Sequence, residues 1–439
     1  MNRLLFALVA LCVVRAEVPS AIAIRNARIV PVSSPAIAKG TVVLRNGLIE
    51  AVGAEVQIPS DAWVIEGEGL TVYPGLIDAL SSTGMPDAAP AGGARGASAA
   101  TVPISTTPAA PPARGPEDRP NTTSWLRAAD LVKPSEKRVE SARDAGFTTA
   151  VAFPMHGIFA GQGAVIDLAG ENGGKMIVVP SVGQYVTLTS NGFTGGYPGS
   201  LMGVIAYIRQ IYIDAGYYQK AKAAYAKDPR SVPRPAYDRA LEGVLESPRV
   251  LLPVNRRIDI DRMLRFSAEL KLNPVLYGPV EGYRSADLLK GSGVPVLLNL
   301  KWPEKAKDGD PEDVDTMRAL ENRANAQGTA AVFAKSGVKF AFYTGGMEKR
   351  ADVWKGVKKA IDAGLKPDDA LRAMTLSPAE IYGVSDRMGS IEKGKIANLV
   401  VTKGDLFQTG SEVKYVIVDG VKFEPSPEEA PKHEAGGEQ

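Results

Sequence analysis

The chain has 439 residues, which is long enough for one large domain and a smaller one. Its hydrophobic content of 45% and charged content of 23% are ordinary for a globular protein. The formal charge of +2 gives no support to nucleic acid or an acidic surface as a partner, and the lysines and arginines are spread along the sequence rather than clustered. Histidine is scarce: the chain contains His156 and His433 and no others.

The first sixteen residues have the pattern of a secretory signal peptide. Arg3 precedes an apolar run over residues 4–14, and residues 14–16 have the form of a small-x-small cleavage site. The run is too short to span a bilayer. Cys12, the one cysteine, lies inside it, so the mature chain would have no disulfide, no thiolate catalysis and no cysteine-bound zinc. We therefore expect an exported protein, periplasmic or extracellular, with no membrane span after signal cleavage.

Both ends of the mature chain predict short strands separated by turns. The N-terminal runs are 22–30, 41–44 and 48–53, with the turn Arg45-Asn46-Gly47 between the last two. The C-terminal runs are 397–401 and 413–418, followed by the turn dipeptide Asp419-Gly420. Neither set makes a complete sheet, so we expect one composite β-sandwich built from residues 17–73 and 388–424 around an inserted domain.

The insert, residues 74–387, alternates buried strand patterns with amphipathic helix patterns. Strands are predicted at 148–153, 176–179, 250–254, 273–277, 294–299 and 339–343, and helices at 200–218, 237–245, 259–270, 314–336 and 354–363. Repeated βα units of this spacing predict a parallel sheet. Six or more of them favour a barrel, while a doubly wound sheet stays open at this point.

Two stretches lack the pattern of regular structure. Residues 88–120 are rich in Ala, Pro, Gly, Ser and Thr and predict a long mobile loop. Residues 425–439 form a polar tail, which we expect to be disordered. His433 lies in that tail, so we expect it to be a solvated histidine.

Several segments carry a family resemblance. Tyr73-Pro74-Gly75-Leu76-Ile77-Asp78 resembles the strand-one motif of the amidohydrolase superfamily, and residues 376–383 and 386–399 resemble that family's return into the sandwich. Residues 145–149 and the Gly-Gln-Gly run at 161–163 are most similar to the imidazolonepropionase-like branch. The resemblance implies an α/β fold, a distorted TIM (β/α)8 barrel with a composite β-sandwich. It also implies hydrolysis of C–N bonds other than peptide bonds by metal-activated water.

The chain departs from that family where the metal ligands belong. At the two histidines of the strand-one pair it has Leu80 and Ser82, and at later histidine positions Asn255 (or Pro253) and Gly278. Gly345 stands where the family has its metal-binding, proton-shuttling aspartate. Leucine and glycine offer no side-chain ligand, and a serine hydroxyl is a poor substitute for imidazole. We therefore expect no metal and no other cofactor, and interpret the chain as a degenerate member.

Weak catalytic candidates remain. His156 follows a strand and could be a lone general base, or a loop histidine bonded to backbone. Asp78 could act in catalysis, although this residue of the motif more often braces the strand, and Glu281 is a third candidate. Arg256 and Tyr277 are the candidates for ligand binding.

These ligand-binding candidates also have structural interpretations. Arg256 could bind a carboxylate-bearing ligand or form a structural ion pair. Tyr283, together with Arg256, Tyr277 and Glu281, would lie near the mouth of the barrel. The sequence does not choose between these interpretations.

Three functions follow from these features. The first is a non-catalytic barrel that binds a small molecule at its mouth or pairs with another protein, either an active relative or a second copy of itself. The second is a structural subunit of an exported complex. The third is a metal-free hydrolase or isomerase acting on a small cyclic amide-like substrate.

Overall fold

The computed structural model describes residues 21–86, 119–190, 197–305, 314–408 and 410–426. The predicted signal peptide, His433 and most of the predicted loop 88–120 and tail 425–439 lie outside these ranges. The strands of the described residues are β1 Ala21–Ile29, β2 Ile37–Arg45, β3 Leu48–Gly53, β4 Ala62–Glu66, β5 Leu70–Pro74, β6 Leu76–Ser81, β7 Phe147–Ala152, β8 Phe159–Asp167, β9 Ile177–Val186, β10 Val250–Pro253, β11 Pro274–Tyr277, β12 Val296–Asn299, β13 Phe340–Tyr343, β14 Leu399–Lys403, β15 Glu412–Val418 and β16 Val421–Phe423. The α-helices are α1 Ala128–Leu131, α2 Lys137–Asp144, α3 Gly173–Met176, α4 Leu201–Lys227, α5 Arg239–Glu246, α6 Arg257–Glu269, α7 Ala286–Ser292, α8 Met317–Asn325, α9 Thr329–Ser336, α10 Arg350–Asp362, α11 Pro367–Met374 and α12 Leu376–Tyr382. The mixed α/β class is confirmed.

The first sheet combines strands from both ends of the chain. Its order is β16-β15-β14-β5-β1-β2-β3, with β4 also paired to β1. The junction is the antiparallel pair β5–β14, in which Pro74 lies opposite Leu399. One face buries a cluster of aliphatic side chains that includes Ile24, Leu44 and Ile417. The two chain ends therefore contribute to one sheet and one apolar core.

The two predicted hairpin turns of this sheet contact each other. Asn46 and Gly47 both have positive φ, as do Asp419 and Gly420, which is the backbone that a two-residue hairpin with the right twist requires. A Cβ on Gly47 would lie 2.5 Å from Asp419 Oδ1, and one on Gly420 would lie 3.0 Å from Gly47 Cα. Glycine is therefore needed at both positions for space as well as for conformation.

The second sheet runs in the order β13-β12-β11-β10-β9-β8-β7-β6. Its neighbours are parallel except that β8 is antiparallel to both β7 and β9. The expectation of an all-parallel sheet is therefore wrong at β8, which was not predicted as a strand. A short loop joins β7 to β8, and a segment that holds only the four-residue helix α3 joins β8 to β9. Such short connections link antiparallel neighbours, whereas a parallel pair needs a longer crossover.

The helix predictions are right in type and less accurate in extent. The helix predicted at 200–218 continues to Lys227, because the added residues are mostly Lys, Ala and Gln, which favour helix. The helix predicted at 314–336 is instead α8 and α9, separated by a short 3₁₀ turn at Ala326–Gly328. The strand predicted at 176–179 extends as β9 to Val186, across Pro180 and Gly183. Among the described residues, no helix is both long enough and apolar enough to cross a membrane.

A buried polar network joins the two sheets. Asp167 at the end of β8 accepts hydrogen bonds on Oδ1 from Asn398 Nδ2 at 2.7 Å and from Thr149 Oγ1 at 2.9 Å. Asn398 Oδ1 in turn accepts the backbone N–H of Asp419 at 2.8 Å. Burial raises the pKa of Asp167 to about 7, against the effect of these hydrogen bonds. The carboxyl group is therefore held in the folded protein partly as its neutral form.

This network makes stability depend on pH. Because the folded-state pKa lies above the ordinary value, the contribution of Asp167 is fully present below about pH 4 and is lost as the pH rises through about 7. Between about pH 5 and pH 8, we expect the unfolding free energy of the wild type to fall by about 2 kcal/mol more than that of Asp167→Asn. Urea unfolding at both pH values measures it. Asp362→Asn, an exposed partner of Lys358, is the matched control and should leave the pH dependence unchanged. An equal pH dependence in wild type and Asp167→Asn would refute the prediction.

Candidate functional site

The carboxyl ends of the parallel strands of the second sheet meet at one edge. We expect a functional site there, because loops after parallel strands carry the functional residues in many α/β folds. Phe153, Tyr185, Tyr277 and Tyr343 lie at or next to the carboxyl ends of β7, β9, β11 and β13, and Tyr382 of α12 packs against Phe153. We call Phe153, Tyr185, Tyr277, Tyr343 and Tyr382 the aromatic cluster.

The rings of the aromatic cluster pack against one another. The Tyr185 and Tyr277 centroids are 5.1 Å apart, and Phe153 lies 5.7 Å from Tyr185 and 6.5 Å from Tyr382. Two hydroxyls are used by the backbone: Tyr277 donates to Val186 O at 2.9 Å, and Tyr382 donates to Ala79 O at 2.7 Å. The cluster is thus a packed, hydrogen-bonded unit.

The tyrosines of the cluster are held neutral. Burial raises the pKa of Tyr277 well above its ordinary value, and burial likewise raises the pKa of Tyr185, Tyr343 and Tyr382. Neutral phenols donate hydrogen bonds but do not act as bases near neutral pH. Apart from Tyr277, these residues were not selected from the sequence. The available signal was a tyrosine at or near the end of a buried strand or helix pattern.

Asp78 lies in the first strand of the sheet and contacts the residue after the last strand. It is 4% exposed, and its two oxygens accept the Thr344 N–H at 3.0 Å and the Thr344 Oγ1 hydroxyl at 2.7 Å. Burial raises the pKa of Asp78 to about 6, and the bonds from Thr344 oppose that shift. Both oxygens are engaged in joining β6 to the end of β13, which is a bracing geometry.

The strand-one ligand positions have no metal-binding geometry. Leu80 is 4% exposed and belongs to the same apolar cluster as Phe153 and Tyr343. The Ser82 hydroxyl accepts a hydrogen bond from Arg138 Nη1 at 2.9 Å. The Leu80 side chain is therefore part of the apolar core, and the Ser82 hydroxyl is hydrogen-bonded to the guanidinium of Arg138.

The later ligand positions are equally unsuited to a metal. Asn255 is exposed. Gly278 has a φ of +80°, and a Cβ added there would lie 3.5 Å from the Tyr343 hydroxyl. Gly345 has a φ of +62°, and its Cβ would lie 2.3 Å from Asn299 Oδ1. The asparagine side chain thus occupies the space that an aspartate at residue 345 would need.

The remaining candidates do not converge. His156 is exposed and forms no hydrogen bond or ion pair with the described residues. Arg256 immediately precedes α6 and pairs with Asp259 at 3.3 Å, which agrees with the interpretation as a structural ion pair. The Tyr283 hydroxyl donates to Asn322 Oδ1 in α8 at 3.2 Å, away from the aromatic cluster.

The Glu281 carboxylate is hydrogen-bonded to the N-terminus of α6, the helix that follows β10. It is 5% exposed, and its Oε2 accepts the backbone N–H of Arg257, in the first turn of α6, at 3.1 Å. Its Oε1 lies 3.4 Å from Arg318 Nε but has no hydrogen bond with the described residues. A buried carboxylate at a helix N-terminus stabilises that helix, so this geometry fits an anchoring role.

A metal centre of the implied type does not fit these residues. Among the described residues, no group of three or more His, Cys, Asp or Glu side chains lies close enough to hold an ion. The five positions discussed above supply two glycines, a buried leucine, a serine bound to arginine and an exposed asparagine. Divalent metals of hydrolases need several converging imidazoles and carboxylates.

Comparison with known proteins gives the following likenesses. The model of the amidohydrolase family matches residues 285–422. The structure of an amidohydrolase from Thermotoga maritima is 25% identical with a TM-score of 0.74, covering 92% of this chain and 100% of that one. Two further structures share the fold: an amidohydrolase (15% identity, TM-score 0.55) and a prolidase complexed with N-methylphosphonate-L-proline (14%, 0.53), each covering 92% of this chain and 99% of its own. No curated protein matches the sequence.

Adjacent glycines test whether Asn299 blocks residue 345. Gly345 and Gly346 both have positive φ, but a Cβ on Gly346 would meet nothing within 4 Å. Gly345→Ala also displaces Asn299, whose Oδ1 accepts the Lys301 N–H at 2.8 Å. We expect Gly345→Ala to lower the unfolding free energy by about 1 kcal/mol more than Gly346→Ala, measured by chemical denaturation. The double variant Gly345→Ala/Asn299→Ala should remove that difference, and equal losses for the two single variants would contradict the prediction.

Proposed function

Because this chain belongs to the amidohydrolase superfamily, we propose that it is a degenerate member that has lost the metal-dependent chemistry and serves as a non-catalytic binding or partner protein. We assign to it the family's distorted (β/α)8 barrel with a composite β-sandwich. In support, Asp78 and Thr344 join the two ends of the second sheet, and the first sheet takes strands from both chain ends.

One observation carries the loss of chemistry. The position of the first strand-one histidine holds Leu80, which is buried in the apolar and aromatic side chains of the carboxyl edge. Metal activation of water needs an open, polar coordination site. A packed leucine among rings replaces that site with hydrocarbon, and the remaining family positions add no side chain able to compensate.

The alternative is a metal-free hydrolase or isomerase acting on a small cyclic amide-like substrate. Asp78 is the group that favours it, because a carboxyl group with a pKa of about 6 is suited to proton transfer near neutral pH. Against this role, both of its oxygens are bound by Thr344. Among the described residues, neither His156 nor Glu281 forms a hydrogen bond with Asp78, so neither completes an acid–base pair with it.

The binding role has two forms within this proposal. A small molecule would bind at the carboxyl edge beside the aromatic cluster. A protein partner would be an active amidohydrolase relative or a second copy of this chain. We also propose that the chain is exported to the periplasm or the extracellular space, on the basis of the signal-peptide pattern in residues 1–16.

Metal binding and turnover test the proposed function together. A ligand that binds the folded state raises the melting temperature. We therefore expect the mature protein to contain substoichiometric zinc, manganese, cobalt and iron by elemental analysis. We expect the melting temperature to change by less than about 1 °C between chelator and added metal. Hydrolysis of a panel of amides and lactams should equal the buffer rate with and without metal.

A matched pair of variants separates the alternatives. Turnover that persists in chelator and is lost in Asp78→Asn, but not in His156→Gln, would replace the proposal with the metal-free enzyme. Turnover that needs stoichiometric metal would refute both. Circular dichroism of Asp78→Asn is required as a control, since that residue also joins β6 to β13.

Export is tested separately from activity. We expect expression of the full chain with its own leader to yield protein outside the cytoplasm, with an intact mass corresponding to loss of residues 1–16. A variant with Leu8→Arg and Val9→Arg, which interrupts the apolar run, should remain in the cytoplasm at full length. Full-length protein in both cases would refute the proposed location.

A further inference from the structure

A second concave site lies between two helices, away from the aromatic cluster. It is a groove of about 430 Å³ between α4 and α6, at the carboxyl end of β10. Its apolar surface comes from Leu201 and Ile205 of α4, from Met263 and Phe266 of α6, and from Val254. No member of the aromatic cluster lines it. The volume falls within the range of about 300–1,000 Å³ that small-molecule sites occupy.

The charged side chains around the groove are paired with one exception. Arg209 forms two bonds with Glu269, at 2.9 and 3.1 Å, and its guanidinium lies 5.3 Å from the centre of the Phe266 ring. Arg265 pairs with Asp261 at 3.2 Å.

Arg262 is the exception. It lines the groove from α6, is exposed, and forms no hydrogen bond or ion pair with any described residue. The acidic side chain one turn earlier in the helix, Asp259, is engaged by Arg256. The groove therefore combines an apolar surface with a guanidinium that forms no hydrogen bond or ion pair with a described residue and has only the longer-range attraction of Asp259.

We propose that this groove binds a monoanionic amphiphile, an alkyl or aryl carboxylate. Its apolar body packs against Ile205, Met263 and Phe266, and its carboxylate pairs with Arg262. A guanidinium binds a carboxylate through two parallel N–H bonds, which gives orientation as well as affinity. The groove lies at the carboxyl edge, with Pro253 and Asn255 in its lining, but it contains no member of the aromatic cluster. It requires no metal, so it goes beyond the small-molecule site proposed beside that cluster and does not depend on it.

Calorimetry of the mature full chain with decanoate tests this site. We expect one equivalent of decanoate to bind saturably, below the concentration at which it forms micelles. Arg262→Gln should weaken decanoate binding about five- to tenfold and leave binding of the neutral probe decanol unchanged. Arg262→Lys, which keeps the charge but loses the two parallel N–H bonds, should give an intermediate decanoate affinity. Ile205→Trp, which fills the groove, should weaken both probes. Lys220→Gln, on an exposed part of α4 beyond the groove, is the control and should bind both as wild type does.

Several outcomes would overturn the proposal. Absence of saturable decanoate binding would do so, as would several equivalents bound without saturation. Equal decanoate affinity in wild type and Arg262→Gln would remove the carboxylate contact. Binding that is insensitive to Ile205→Trp, or to the milder Ile205→Ser if the tryptophan variant does not fold, would place the ligand elsewhere. None of these results bears on metal content or amide turnover, which are measured separately.

Discussion

The contact between Asp78 and Thr344 is the constraint on which the arrangement of the second sheet depends. A carboxyl group buried in the first strand receives one backbone and one side-chain donor from the residue that follows the last strand. Without those donors it would be a buried polar group lacking partners, which is costly. Meeting that requirement holds β6 beside β13 and brings the carboxyl ends of the strands to one edge.

What fills that edge decides what it can do. A hydrolytic metal site needs converging donors and room for water and substrate. Here the rings of Tyr185 and Tyr277 pack at a tilt, Leu80 belongs to the same buried cluster, and Asn299 occupies the space beside Gly345. Under the proposed function, apolar core residues stand where buried polar metal ligands, which are costly to the folded state, would otherwise lie. Such a change favours stability at the expense of activity.

The sequence was informative wherever local chemistry determines structure. Turn dipeptides such as Asp419-Gly420 and the motif ending in Asp78 predicted the hairpins and the framework, because backbone conformation there depends on residue type. Strand β8 was missed because its Gly-Gln-Gly run lacks the alternation of a half-buried strand, and it is buried along its whole length. Strand β7 is equally buried along its whole length, but its run contains no glycine and it was predicted.

The candidate site divides in the same way. The scarcity of histidine could be seen in the sequence because it is a matter of residue type. The ion pair of Arg256 with Asp259 and the hydrogen bond from Tyr277 to Val186 O could not be predicted from the sequence. Both depend on which partner lies within about 3 Å in the folded chain. The groove beside Arg262 was invisible for the same reason, since α4 and α6 are separated in sequence and meet only in three dimensions.

The pairing of β5 with β14 has a consequence for the order of events during synthesis. Strands β1 to β5 emerge first, but the partner of β5 is made only when nearly all of the chain has been produced, because Pro74 pairs with Leu399. Until then β5 presents an open edge of unpaired N–H and C=O groups, which is a template for pairing with other chains. The β7–β8–β9 meander, by contrast, is made of neighbours in sequence and can form early. The first sheet can therefore be completed only after β14 to β16 have been synthesised.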